Sequence, residues 1–138
     1  MSLSIQNWKK QIEEMPCDAA VSITYLQLSE FNGYGLYVSI IPPGEANTGH
    51  YHTREPEKYH IVKGRGVLLS QPVCMMEAGM PVFRQDVQEG MTADIPGMVI
   101  HRLHNNGTEP LVFLFECPMA HMDKDMPVRT VVPCFGGI

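Results

Sequence analysis

Along most of the chain, apolar positions alternate with polar ones or gather in short runs, a period that suits strands rather than helices. Val21 to Leu28, Tyr34 to Ile41, Lys58 to Val62 and Val67 to Gln71 read this way, as do Val82 to Val87, Met91 to Ile95, Val99 to Leu103 and Leu111 to Cys117. Between them stand residues that turn a chain: Asn32-Gly33, Pro42-Pro43-Gly44, Lys63-Gly64-Arg65-Gly66, Ala78-Gly79, Glu89-Gly90, Pro96-Gly97 and Asn106-Gly107. Many short strands at such spacings predict an all-β sandwich or barrel. One stretch differs. Ile5, Trp8, Ile12 and Met15 recur at spacings of three and four, which predicts a short N-terminal helix with Ser4 as its N-cap and Pro16 as its stop. Its apolar stripe should lie on a sheet. Beyond Met119 the pattern is less regular, with Val128 to Val132 as a candidate edge strand. The 138 residues therefore read as a single domain, a barrel core over about residues 20–118 followed by a tail over 119–138.

Charge and cysteine content narrow the partners. Ten Lys and Arg against 15 Asp and Glu give a net charge of -5, which lacks the phosphate-neutralising field of a nucleic-acid binder. No apolar run approaches the roughly 20 residues of a membrane-spanning helix, and no basic region followed by an apolar stretch opens the chain. The expectation is a cytoplasmic protein with neither nucleic acid nor membrane as partner. Cys17, Cys74, Cys117 and Cys134 are scattered with no C-x-x-C pair, as suits reduced thiols filling small apolar spaces. By the same reasoning the run Cys74-Met75-Met76 should fill core, and so should Phe83, Phe113 and Phe115.

Histidine carries the chemistry. Five of the six lie in two clusters, and the first is His50-Tyr51-His52 with Glu57 five residues on. In a strand, residues i and i+2 share a face about 7 Å apart, so His50 and His52 can aim two imidazoles at one point while Tyr51 points away. A turn through Thr53, Arg54, Glu55 and Pro56 would return the chain as an adjacent antiparallel strand, with Glu57, Tyr59 and Ile61 on the shared face. In the second cluster, parity groups His101, Leu103 and Asn105 and turns Arg102 and His104 outward, where Arg102 should be solvated. His60 falls on the outer face, and His121 lies in the tail, where parity has no say. Three imidazoles and a carboxylate suit one borderline divalent ion, Fe, Mn, Ni, Co or Zn, with positions left for a small-molecule substrate or water.

Written with its glycines and proline, the first motif is Gly44, five residues, His50-x-His52, four residues, Glu57, six residues, Gly64. The second is Gly90, five residues, Pro96, four residues, His101, three residues, Asn105. Together they resemble the two signature motifs of the cupin superfamily. That resemblance implies a double-stranded β-helix, or jelly-roll barrel, with His50, His52, Glu57 and His101 as metal ligands. Met98 departs from the pattern, standing where the superfamily usually has a glycine, with Gly97 just before it.

A narrower likeness runs through Thr48-Gly49-His50-Tyr51-His52, Glu57-Lys58-Tyr59, Gly64-x-Gly66-x-x-Leu69-x-Gln71, Pro96, His101-Arg102, Asn105, Gly107 and Glu109-Pro110-Leu111. It is similar to the cupin-type glucose-6-phosphate isomerases. What this implies is aldose–ketose isomerisation of a sugar phosphate, with Glu57 as base and Tyr59 orienting or protonating a sugar oxygen. The Thr48 hydroxyl and the Gly49 N–H would contact the phosphate. Two other classes share the same donors: an Fe(II)-dependent dioxygenase or decarboxylase-like enzyme, and a barrel that binds a metabolite without turnover. Cupins commonly pair through edge strands, so a homodimer is expected, with Tyr34 to Ile41 as the candidate strand.

Overall fold

A computed structural model of the chain describes residues 5–15, 23–54, 56–122 and 129–137, and the main chain of 17–18. Helix α1 (Trp8–Gln11) runs into a 3-10 turn (Ile12–Glu14) and is followed by β1 (Cys17–Asp18), β2 (Ile23–Phe31), β3 (Tyr34–Ile41), β4 (His50–His52), β5 (Glu57–Lys63) and β6 (Arg65–Pro72). Helix α2 (Val73–Glu77) precedes β7 (Phe83–Gln88), β8 (Thr92–Ile95), β9 (Val99–His104) and β10 (Leu111–Pro118). A 3-10 turn (Met119–Met122), β11 (Arg129–Val131) and a last 3-10 turn (Phe135–Gly137) complete the described chain. The strands form two antiparallel sheets, ordered β1-β2-β3-β10-β5-β8 and β11-β4-β9-β6-β7.

The period-2 pattern explains the layering. Leu111, Phe113, Phe115 and Cys117 of β10 point inward with Tyr37, Ile41, Tyr59 and Ile61, and meet Leu68 and Leu103 of the opposite sheet. Tyr37 stacks on Phe115 with ring centres 4.9 Å apart. The outer face of the first sheet carries Val38 and Val112, and Ile12 and Trp8 of the N-terminal segment cover it. The apolar stripe thus lies on a sheet as expected, but the helix is shorter than its periodicity suggests: Ile5 is exposed, and Asn7 stands at the N-cap without a side-chain bond. Ser4 and Pro16 lie outside the described residues, as do Val21 at the start of the second strand's expected span and Val128 at the start of the candidate edge strand. Val67, Leu69 and Ile100 of the second sheet form a further apolar layer with Phe135 of the C-terminal segment.

Four expectations are corrected. Strand β3 sits between β2 and β10, so Tyr34 to Ile41 is no edge and offers no main chain for pairing with a second copy. Met75 and Met76 stand exposed on α2 rather than filling core, and Phe83 is 57% exposed on a strand at the rim of its sheet. Arg102 does point away from the barrel interior, yet it is not solvated: Nε donates to the Asn47 carbonyl at 2.7 Å and Nη1 to that of Phe135 at 3.1 Å. It ties the tail to the barrel. The Met98 departure also has a local reason. Met98 takes φ 61°, the left-handed conformation that glycine adopts more readily, whereas Gly97 passes so close to the Arg54 carbonyl that no Cβ would fit. Among the described residues, no helix is long and apolar enough to cross a membrane.

Candidate metal centre

Strand β4 sends His50 and His52 to the interior and Tyr51 to the apolar layer outside. Pairing of β4 with β9 sets His50 opposite His101. Asn47 and Asn105 hold this register from either side. Asn47 Oδ1 accepts the Leu103 N–H at 2.8 Å, while Asn105 donates to the carbonyls of Ile41 and Glu109 and accepts the Gly107 N–H. The asparagine of the second motif is therefore a turn brace.

Glu57 arrives differently from the expected hairpin. Strand β5 pairs with β8 and β10 in the other sheet, so the segment after His52 crosses between sheets and the carboxylate reaches the imidazoles across the barrel. The crossover is braced where the Met98 N–H donates to the His52 carbonyl at 2.7 Å. Glu55, the competing carboxylate, lies outside the described residues. Ligand atoms of His50, His52, Glu57 and His101 all lie within 4.8 Å of one another, and each of the four residues is at most 4% exposed. Glu57 Oε2 is 3.3 Å from His52 Nδ1 and 4.0 Å from His101 Nε2.

The donor set fits a metal ion. His50 Nδ1 lies 2.8 Å from the Thr48 carbonyl and His101 Nδ1 lies 3.0 Å from that of Val99. A carbonyl only accepts, so each Nδ1 carries the proton and Nε2 is the nitrogen that can ligate. His101 Nε2 has no hydrogen-bond partner among the described residues although it is fully buried, and a buried polar atom in that state calls for a partner. Burial, then the neighbouring His50 charge, pulls the His101 pKa down to about 4, and burial with the surrounding imidazoles holds His52 well below the usual histidine range. Both rings are neutral near pH 7, which leaves lone pairs for a borderline divalent cation.

Tyr59 shares the inner face with Glu57, as parity requires. Its hydroxyl is buried beside Asn47 and Glu57 but forms no hydrogen bond among the described residues. Burial, reinforced by Glu57, raises its pKa well above the phenol range, so it keeps its proton. Thr48 is half-buried and its carbonyl holds His50. Gly49 lets the tail approach: a Cβ there would strike Phe135, and its carbonyl accepts the Val132 N–H at 2.7 Å. His60 faces outward beside Thr92 and Glu116, and His104 is half-buried.

One residue of the centre escaped the sequence reading. His121, on the 3-10 turn after β10, is 3% exposed; its ring stacks on His52 at 3.9 Å with planes 2° apart, and its Nδ1 is 3.8 Å from Glu57 Oε2. No periodicity marks it. The signal lies in topology: β10 pairs with β5 so that Glu116 faces Lys58, and whatever follows Cys117 must land near Glu57.

Residues 25–127 match the family model described as polysaccharide biosynthesis C-terminal domain. Among curated proteins, no sequence matches. Several solved structures are similar. A cupin 2 conserved barrel domain protein from Salinispora arenicola superposes with a TM-score of 0.65 at 16% identity, over 84% of this chain and 88% of that one. CapF, a capsular polysaccharide assembling protein from Staphylococcus aureus, superposes at 0.69 and 23% identity over 86% of this chain, which spans only 34% of CapF. Oxalate decarboxylase from Bacillus subtilis, described with Mn(II) centres, superposes at 0.59 and 18% identity, over 81% of this chain and 28% of that one. Likeness of this kind establishes a cupin barrel.

Proposed function

The chain belongs to the polysaccharide biosynthesis C-terminal domain family, and we propose that it is a metal-dependent enzyme that moves a proton between neighbouring carbons of a sugar. Its concrete form is the interconversion of aldose and ketose forms of a sugar phosphate. The observation that carries this reading is a base and a proton donor side by side against a metal-binding set: Glu57 and Tyr59 share one inner face next to three imidazoles. The family's name supports a carbohydrate substrate.

A divalent ion held by His50, His52, Glu57 and His101 supplies Lewis-acid stabilisation of oxygen charge. The remaining work falls to side chains. A carboxylate has two oxygens, so Glu57 can ligate through one and take the carbon-bound proton with the other. Tyr59, which keeps its proton, donates to a sugar oxygen and fixes its position. The Thr48 hydroxyl and the Gly49 N–H remain the proposed phosphate contacts. Burial of all four ligands keeps bulk water from the reacting carbons.

A coupled assay with glucose 6-phosphate, fructose 6-phosphate and mannose 6-phosphate tests this on protein loaded in turn with iron, manganese, nickel, cobalt and zinc. The expected result is conversion of at least one, abolished by Glu57→Gln and reduced by Tyr59→Phe. Failure of every pair overturns the isomerase reading. Oxygen uptake by the iron-loaded protein in place of isomerisation would replace it with a dioxygenase.

A further inference from the structure

The interior holds a second group of donors beside the one described. Ligand atoms of Glu57, Cys117 and His121 lie within 4.8 Å of one another, and all three residues are buried, Cys117 completely. Cys117 sits on β10 level with the start of β5, and His121 follows one turn later. His121 Nδ1 is buried without a hydrogen-bond partner among the described residues, though it stands 3.8 Å from Glu57 Oε2. Nothing in the metal centre as read from the two motifs uses the thiol or the fourth imidazole.

Ring geometry decides what they can do. An imidazole lone pair lies in the plane of its ring, and the planes of His52 and His121 are 2° from parallel with centres 3.9 Å apart. Parallel planes share no point, so a single ion cannot lie on the lone pairs of both rings. Two ions, one in each plane, would be kept apart by at least the ring spacing, which is compatible with the roughly 3.5–4 Å of two-metal sites with a shared ligand. Glu57 Oε2 faces both rings, 3.3 Å from His52 Nδ1 and 3.8 Å from His121 Nδ1, so this one oxygen can bridge the two positions and leave the other free. The donors also differ in kind, because Cys117 offers a soft sulfur where the first set offers nitrogen and oxygen.

We propose that Glu57, Cys117 and His121 form a second cation site of the thiophilic, zinc-like type, adjoining the three-histidine centre and sharing the Glu57 carboxylate with it. Thiolate, imidazole and carboxylate make three protein ligands and leave one position of a tetrahedron open. Burial, with Glu57 nearby, pushes the Cys117 thiol well above the ordinary thiol range, so without a cation it keeps its proton. Binding expels that proton to solvent and forms the metal–sulfur bond, with no change of oxidation state. The site requires only the cluster itself and stands whether or not the substrate is a sugar.

Cobalt titration of the metal-free full-length chain tests it without reference to activity. Two equivalents should bind, and one should bring the near-ultraviolet thiolate-to-cobalt charge-transfer absorption. In the triple variant Cys17→Ser, Cys74→Ser, Cys134→Ser, Cys117 is the only cysteine left, every proposed ligand remains, and the absorption should persist. Cys117→Ser should abolish it and remove one equivalent, and His121→Ala should remove the same equivalent. Saturation at a single equivalent, with or without the absorption, overturns the proposal, as does loss of the absorption in the triple variant.

Discussion

His50 and His101 reach the centre on paired strands, each with Nδ1 tied to the carbonyl two residues before it, whereas His121 reaches it from an irregular turn and rests on the ring of His52. Sheet register positions the first pair; contact between side chains positions the other. Register is fixed by hydrogen bonds and by a period of two, so those imidazoles stand preorganised before any ion arrives. The turn that carries His121 is anchored where the Met119 N–H donates to the Gly33 carbonyl at 2.8 Å, and the chain beyond it returns to the barrel through β11 on β4, Arg102 to the Phe135 carbonyl and Val132 to Gly49.

Removing a ligand from the preorganised half should break the contrast most sharply. His101→Ala is expected to weaken binding at the four-donor centre by more than about 100-fold, beyond the usual cost of losing an outer partner of a metal ligand. Metal analysis after dialysis, beside a thermal-unfolding check of the variant, reads this directly, and an unchanged ion count would contradict the assignment.

Acid should also weaken the same half in metal-free protein. Histidine in the unfolded chain takes up a proton near 6.5, while His101 in the folded protein resists down to about 4. Between those values the unfolded state binds more protons, so stability should fall by up to about 3 kcal/mol as the pH drops from about 6.5 towards 4. Denaturation midpoints at several pH values test this, and stability that rises on acidification would contradict it.

Two substitutions then separate the braces. Asn105→Ala leaves the carbonyls of Ile41 and Glu109 and the N–H of Gly107 without their partner, and should cost about 1–3 kcal/mol in chemical denaturation. Gly49→Ala drives a Cβ into Phe135 and should cost about the same through the tail alone. The smallest effect is expected from Phe83→Ser, within about 0.5 kcal/mol, because that ring is mostly in water.

The strands and the inward histidines were legible because they rest on local periodicity: β3 and β10 begin at the residues the pattern gives, and parity alone turns His50, His52 and Tyr59 inward. What stayed hidden depends on partners distant in sequence. A short segment between His52 and Glu57 can close a hairpin or cross to the other sheet, and spacing does not distinguish the two; pairing with β8 and β10 does. Phe83 and Met76 look like core by composition and stand exposed among the described residues. Arg102 looks solvated until the tail folds over it, and His121 has no periodic company at all. Each of these was decided by tertiary packing.

The most direct test is anomalous diffraction at the metal absorption edge from crystals of the metal-loaded chain. The expected result is a peak within about 2.0–2.2 Å of nitrogen atoms of His50, His52 and His101 and of a Glu57 oxygen. No peak among those four side chains after loading with iron, manganese, nickel, cobalt and zinc in turn would contradict the metal centre.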